Sequence, residues 1–225
     1  CSSDLVNNSI LSNRILSLSE SATLEMTRLS RELKSEGKDV IALSIGEPDF
    51  NTPQNVKDAG KLAIDNNITH YPPVPGFLEL REAIAAKLKR DNNLDYGPEN
   101  IVVSTGAKHS LINVFMCILN DGDEVIIPAP YWVSYPEMVG LAGGKSVVIN
   151  TDIDSDFKIK PEDIEKAITT NTKAFLFNSP SNPTGSVYTY EELSEIAKVL
   201  VKYPDILIIA DEIYEYITFD SEHHR

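Results

Sequence analysis

Residues 125–149 read VIIPAPYWVSYPEMVGLAGGKSVVI and contain a strand, a helix and a second strand in succession. Residues 125–127 and 147–149 are short apolar runs without polar alternation, which is typical of strands that are buried on both faces. Residues 135–141 between them have helical spacing, so the segment is a βαβ unit. This unit predicts a parallel sheet that is covered by helices.

The same alternation continues on both sides of that unit. Further buried strands are predicted at residues 101–103, 174–177 and 206–209, and a short strand at residues 40–45. Strands of this kind separated by helices indicate an α/β fold, in which a mostly parallel sheet lies between two layers of helices in a three-layer αβα arrangement.

Helices are predicted where apolar residues recur at helical spacing and where capping residues mark an end. Gly37 is a candidate C-cap, and Thr52 is a candidate N-cap before the first-turn Pro53. Thr189 and Glu192 form a candidate capping box. The predicted helices span residues 22–36, 53–66, 77–90, 107–119, 135–141, 161–168 and 189–201.

Composition excludes several classes of function. The 225 residues include 20 Lys and Arg against 34 Asp and Glu, a formal net charge of −14, which makes the chain a poor partner for nucleic acid or anionic membranes. No apolar run approaches the length of about 18 residues that a membrane-spanning helix needs. Two cysteines cannot form a disulfide framework, and the four histidines show no metal-binding spacing. We therefore predict no nucleic acid, no membrane and no metal.

The cysteines bear on the compartment. Cys117 lies in the apolar helical pattern of residues 111–119, so we expect a buried, reduced thiol and a cytoplasmic protein. The first residue is Cys1 rather than Met, so we expect a processed or shortened start. A lipidated Cys-Ser-Ser end of an exported protein is the alternative.

Ligands of open α/β sheets bind at the carboxyl ends of the strands, so the residues after each predicted strand are candidates for a site. Residues 105–108, Thr-Gly-Ala-Lys, lead from a strand into a helix and suit a phosphate, although most such turns only reverse the chain. Tyr131 and Trp132 follow the next strand, where aromatic rings either stack on a planar ligand or cap the core.

Two further strand ends carry polar groups. Asn182, held between prolines and a glycine, either presents a directional donor and acceptor or bonds its own backbone. Asp211 needs a cationic partner, which is either a structural Arg or Lys or a protonated ring nitrogen. Tyr214 follows three residues later. Together these strand ends suit a planar, phosphorylated ring that contains nitrogen.

Prolines fix two of these loops. Fixed turns at ligand sites often contain cis peptide bonds before proline. We therefore expect the Ala129–Pro130 and Asn182–Pro183 bonds to be cis.

The motifs at these strand ends resemble those of the fold-type I pyridoxal 5′-phosphate (PLP) enzymes, and within them the bacterial aspartate aminotransferase branch. The resemblance implies a PLP-binding large domain in residues 51–225, incomplete at its C-terminus. An arm and helix in residues 1–50 precede it and contact the small domain and the dimer partner, and the C-terminal small domain is absent from this chain. The matching segments, in family order, are residues 46–50, 71–73 with Gly76 and 80–81, 105–108, 130–136, 178–185 and 211–215.

The resemblance implies roles around the cofactor ring. Asp211 pairs with the pyridinium nitrogen and keeps the ring protonated as an electron sink. Tyr214 and Asn182 hydrogen-bond the ring 3′-oxygen, and Trp132 stacks on the ring.

The resemblance also implies how the cofactor phosphate is held. The backbone amides of Gly106, Ala107 and Lys108 bind it at the start of their helix. Tyr71 reaches the phosphate of the other subunit, which implies a homodimer with its active site at the subunit interface.

Substrate recognition follows from the same resemblance. Gly46 lets the backbone approach the substrate α-carboxylate, which Asn182 and Trp132 also fix. Thr23 and Lys108 match positions that read the distal carboxylate of a dicarboxylic substrate, although Lys108 is equally typical of a solvated lysine on a first helical turn.

The implied reaction is PLP-dependent transamination between an L-amino acid, aspartate or glutamate in the first place, and a 2-oxo acid, by a ping-pong mechanism. The family's Schiff-base lysine lies in a turn beyond Arg225, and two sheet strands that insert between the first and fifth also follow it. This chain therefore contains no catalytic lysine in the expected context, only the supporting Tyr214 and Asp211, and is expected to be inactive alone. The alternatives are another specificity (aromatic, alanine or prephenate) or a non-catalytic PLP-binding or dimerising module.

Overall fold

The computed structural model describes residues 10–19, 22–42, 46, 50–217 and 219. The chain divides into two compact units: Ala22–Gly106 form the helical unit, and Cys1–Ser21 with Ala107–Arg225 form the sheet unit. Short 3₁₀ helices span Pro98–Asn100 and Ile153–Ser155. In chain order, the other described elements are α1 (Asn13–Leu16), α2 (Ala22–Ser35), α3 (Gln54–Asp65), α4 (Leu78–Asn92), α5 (Ala107–Ile118), β1 (Glu124–Ala129), α6 (Ser134–Leu141), β2 (Lys145–Asn150), α7 (Pro161–Ala167), β3 (Thr172–Asn178), α8 (Tyr190–Leu200) and β4 (Leu207–Asp211).

The strands of the sheet unit form one parallel sheet in the order β2-β1-β3-β4. Ile126 of β1 lies opposite Val147 of β2 on one side and Phe175 of β3 on the other. Phe175 in turn lies opposite Ile208 of β4. Because every strand runs the same way, all of their carboxyl ends lie at one edge of the sheet.

Helices cover both faces of this sheet. Val125 and Ile127 pack on one face and Ile126 between them on the other, and each is at most 1% exposed. The three-layer α/β arrangement is therefore confirmed. The α5/α6 face contains Leu111, Phe115, Leu119, Val125, Ile127, Tyr135, Met138, Val139, Ala174 and Leu176. The α7/α8 face contains Ile126, Ile149, Ile159, Ile164, Phe175, Tyr188, Ile196, Val199 and Leu200.

The helix ends follow the predicted capping residues with one exception. Gly37 has φ +80° after α2, and the next N–H, that of Lys38, donates to Leu33 O, as at a glycine C-cap. Thr189 caps α8 in a reciprocal capping box. The prediction that Thr52 is an N-cap is wrong, because Pro53 itself occupies the N-cap of α3 in an extended conformation and leaves Thr52 outside the helix.

The prediction of a strand at residues 101–103 is also wrong. Ile101 is extended, yet its N–H donates to Pro98 O, and the N–H of Val103 donates to Pro75 O. A strand requires a neighbour that pairs with it along its length, and these are turn and loop bonds. Of the short strand predicted at 40–45, residues 40–42 are irregular and residues 43–45 lie outside the described part of the chain.

Cys117 is exposed rather than buried. Leu111 and Phe115, with Leu119 directly after the helix, repeat every four residues and define its buried side. Cys117 lies two positions after Phe115, which is about 200° around the helix axis, so its thiol is on the opposite side. An apolar residue type within an apolar helix was not enough to place it.

Candidate active site

Three of the candidate loops begin at the same edge of the sheet. They follow β1, β3 and β4, and the last residues of β3 and β4, Asn178 and Asp211, lie opposite each other in the strand register. The sheet therefore brings together the loops that carry Trp132, Asn182 and Tyr214, as the sequence analysis expected.

Asp211 is held by two hydrogen bonds at the end of β4. The Tyr135 hydroxyl donates to Oδ2 at 2.8 Å, and the Ile213 N–H donates to Oδ1 at 3.2 Å. Burial, reinforced by the Asp211 carboxylate, raises the pKa of Tyr135 far above its usual range, so the phenol remains a donor. Each carboxylate oxygen thus accepts one bond from a neutral group and keeps acceptor capacity for a ligand.

Trp132 lies between two other side chains of the sheet unit. Its ring meets Tyr135 edge to face, with centroids 5.4 Å apart and planes at 87°. The Lys108 Nζ lies over the Trp132 ring, 4.8 Å from its centroid, within the range of a cation–π interaction. Lys108, a solvent-exposed residue of the first turn of α5, is therefore also a neighbour of the predicted stacking residue.

The loop after β3 is tied to β4 through Asn178. Its Nδ2 donates to Asp211 O at 2.7 Å, and its Oδ1 accepts the N–H of Asn182 at 2.6 Å. Among the residues that the structure describes, the side-chain amide of Asn182 has no hydrogen-bond partner, so the alternative in which it bonds its own backbone is not seen. The Ala129–Pro130 and Asn182–Pro183 bonds are cis, as predicted, and Ser179–Pro180 is cis as well.

The turn before α5 follows a loop rather than the predicted strand, but its backbone still suits an anion site at a helix start. Gly106 has φ +90°, a conformation that side-chain-bearing residues rarely adopt, and its N–H donates to Ser104 O. Ala107 and Lys108 open a helix of 12 residues, and the first N–H groups of any helix have no intrahelical acceptor. These two amides are thus better placed than that of Gly106 to bind an anion.

Of the remaining candidates, Tyr214 lies at the same sheet edge, whereas Gly46, Thr23 and Tyr71 do not belong to the sheet unit. Tyr214 is half-buried in the turn after β4, and its carbonyl accepts the N–H of Ile217. Gly46, Thr23 and Tyr71 belong to the helical unit, where Tyr71 is fully exposed, and their roles toward the sheet unit remain predictions.

Sequence reasoning missed two residues of this site, Tyr135 and Asn178. Both lie inside segments that were already singled out, residues 130–136 and 178–185. Neither was assigned a role, because their partners lie 76 and 33 positions away along the chain. The available signal was an aromatic hydroxyl and an amide placed beside the more obvious Trp132 and Asn182.

No group of three or more His, Cys, Asp or Glu among the described residues could hold a metal ion. In the same part of the chain, no helix is both long enough and apolar enough to cross a membrane.

Comparisons with known proteins agree on one family. The family described as "Aminotransferase class I and II" matches residues 38–225. The chain is 51% identical over 209 residues to a probable aspartate/prephenate aminotransferase of Rhizobium leguminosarum bv. phaseoli, covering 93% of this chain and 52% of that protein. It is 51% identical over 214 residues to an aspartate aminotransferase of Bacillus subtilis, covering 95% and 54%.

A solved structure of an aminotransferase has the same fold as this chain. The aspartate aminotransferase of Thermus thermophilus with maleate superimposes with a TM-score of 0.92 at 45% identity, covering 96% of this chain and 56% of that one. The chain thus spans about half the length of the relatives that it matches. With a family match over residues 38–225 and relatives at 51% identity, this chain belongs to the class I and II aminotransferases, which depend on PLP, the cofactor that the resemblance implied.

Proposed function

We propose that the protein containing this chain catalyses PLP-dependent transamination between aspartate or glutamate and a 2-oxo acid by a ping-pong mechanism. The observation that carries the proposal is the Asp211 carboxylate, fixed by Tyr135 and Ile213 at the carboxyl end of β4. The names of the relatives, aspartate and aspartate/prephenate aminotransferases, support the dicarboxylic substrate.

The side chains at this edge of the sheet fit the cofactor. Bound PLP supplies an electron-withdrawing ring that stabilises negative charge at the substrate Cα. The Asp211 carboxylate would accept a hydrogen bond from the N–H of the protonated ring nitrogen, since both of its oxygens keep acceptor capacity. The amides of Ala107 and Lys108, with Gly106 turning the chain before them, donate to the phosphate at the start of α5.

Further residues orient and enclose the reactants. Trp132, with its edge-to-face contact to Tyr135, presents an aromatic surface that excludes water from one side of the ring. The side-chain amide of Asn182, which has no hydrogen-bond partner among the described residues, and the hydroxyl of Tyr214 would bind the ring 3′-oxygen. Lys108 and Thr23 would read the distal carboxylate.

The assembly belongs to the same proposal. Tyr71, fully exposed in this chain, contacts the cofactor phosphate of a second copy, so the active protein is a homodimer. We also propose that residues 1–50 act as an arm and helix, that residues 51–225 act as the PLP-binding domain, and that the protein works in the cytoplasm.

The decisive variant is Asp211→Asn in the protein containing this chain. Loss of the charged partner lowers turnover of aspartate with a 2-oxo acid by at least about 100-fold, the size of effect seen when one preorganised electrostatic contact is removed. Asp205→Asn, in the turn before β4 and exposed to solvent, is the matched control and keeps wild-type turnover. Wild-type turnover in Asp211→Asn contradicts the proposal.

One alternative has its own support, because the Rhizobium relative is named for prephenate as well as aspartate. A panel of amino donors and 2-oxo acids separates the two specificities. Turnover with prephenate but not with the 2-oxo acids of aspartate and glutamate replaces the proposal of an aspartate or glutamate specificity. PLP binding without any turnover supports the non-catalytic module instead.

A further inference from the structure

The hydrogen bond between Tyr135 and Asp211 joins two elements that are distant in the chain. Tyr135 lies in the first turn of α6, is 2% exposed, and donates to Asp211 Oδ2 at 2.8 Å across 76 positions of sequence. We propose that Tyr135 is a positioning residue that sets the rotation of the Asp211 carboxylate toward the cofactor ring nitrogen. The inference rests on the proposed function and assigns it a further residue.

Tyr135 is needed to orient the Asp211 carboxylate, because a single hydrogen bond does not fix the rotation of a carboxylate plane. The terminal torsion of aspartate is broad and two-fold, so the plane turns freely about a single contact. The N–H of Ile213 holds Oδ1, and the Tyr135 hydroxyl holds Oδ2 from a separate element. Two donors on different oxygens leave one orientation of the plane.

A second contact gives Tyr135 a wider role in the same site. The ring that carries the hydroxyl also meets Trp132 edge to face. One side chain therefore sets both the partner of the ring nitrogen and the position of the aromatic surface beside the ring. Because phenylalanine keeps the edge-to-face contact and lacks only the hydroxyl, Tyr135→Phe isolates the effect on Asp211.

A buried tyrosine hydroxyl is not by itself evidence of such a role, and Tyr188 shows why. Tyr188 is 5% exposed, lies on the α7/α8 face, and its hydroxyl accepts the N–H of Ile159 at 3.1 Å. That bond joins the Tyr188 side chain to the backbone of Ile159, and its partner is an N–H rather than a carboxylate. Tyr188→Phe is thus a matched control, with the same atom removed from a similarly buried position.

The test uses the protein containing this chain, loaded with PLP that is ¹⁵N-labelled at the ring nitrogen. In Tyr135→Phe, the ¹⁵N resonance moves toward the unprotonated value, because the misaligned carboxylate pairs less well with the ring nitrogen. PLP affinity falls about 10-fold, which corresponds to about 1.4 kcal/mol. Tyr188→Phe leaves both the resonance and the affinity unchanged.

Two results overturn the inference. One is an unchanged resonance in Tyr135→Phe, and the other is a shift toward fuller protonation, which would mean that the hydroxyl weakens the carboxylate rather than orienting it. A wild-type protein that fails to bind PLP refutes the proposed function instead. If Tyr135→Phe does not fold, 3-fluorotyrosine at position 135 keeps the shape and changes the donor strength. It must then shift the resonance, whereas 3-fluorotyrosine at position 188 must not.

Discussion

The two faces of the sheet each bury a cluster of apolar side chains, but their buried tyrosines have different hydrogen-bond partners. Each face has one buried tyrosine: Tyr135 on the α5/α6 face donates to the Asp211 carboxylate, and Tyr188 on the α7/α8 face accepts a backbone N–H. On the α7/α8 face the hydroxyl supports the fold alone. On the α5/α6 face the hydroxyl of Tyr135 instead lies at the sheet edge where the strand-end loops meet, and it donates to Asp211. The comparison teaches that burial identifies a structural residue only when the partner of its polar atom is also known.

The largest expected effect is on the free energy of unfolding, and it tests whether packing on the two faces contributes equally to stability. Phe115 on the α5/α6 face and Phe175 on the α7/α8 face are at most 1% exposed. Replacing either by Ala lowers the free energy of unfolding by about 3–5 kcal/mol, because a large cavity remains. Chemical denaturation measures both variants, with Met116→Ala, about half exposed on α5, as a control within about 0.5 kcal/mol of wild type. A large loss of stability in only one of the two variants would contradict equal packing of the two faces.

A smaller effect tests the structural role of Tyr188. Burial raises its pKa to about 12, above the value of about 10 for an unfolded tyrosine. Because its pKa is higher in the folded than in the unfolded state, the protonated Tyr188 contributes to the free energy of unfolding. This contribution is complete below pH 10 and is lost as the pH rises toward 12. The unfolding temperature of wild type therefore falls more steeply over that range than that of Tyr188→Phe. Parallel curves for the two proteins would contradict the assignment.

The smallest effect concerns the cap of α8 on the same face. Thr189 accepts the N–H of Glu192, and the Glu192 side chain accepts the N–H of Thr189. Thr189→Ala lowers stability by about 1 kcal/mol and leaves PLP affinity unchanged, because the cap lies on the face without site residues. Thr189→Ser, which keeps the hydroxyl, stays near wild type in the same thermal unfolding measurement. A change in PLP affinity would show that the α7/α8 face also supports the site.

The sequence predicted best what depends on local pattern. The apolar runs of β1, β3 and β4 and the polar residues after them were found, because burial on both faces and the topology of parallel sheets leave few alternatives. The strand predicted at residues 101–103 failed, because pairing depends on a neighbour and not on the run itself. The exposure of Cys117 follows from its angular position on the helix, opposite Phe115, which residue type alone does not indicate. The bond from Tyr135 to Asp211 joins residues 76 positions apart, which no local pattern reports.

Asn178 uses both ends of one amide group, and this has a mechanical consequence. Its donor holds the carbonyl of Asp211 and its acceptor holds the N–H of Asn182, so a displacement of either loop pulls on the other through a rigid planar group. Aspartate lacks the donor and leucine lacks both functions, so neither can transmit that displacement. Asp211 and Asn182, the residues proposed to bind the ring nitrogen and the ring oxygen, are therefore mechanically coupled through Asn178 and move together when a ligand binds.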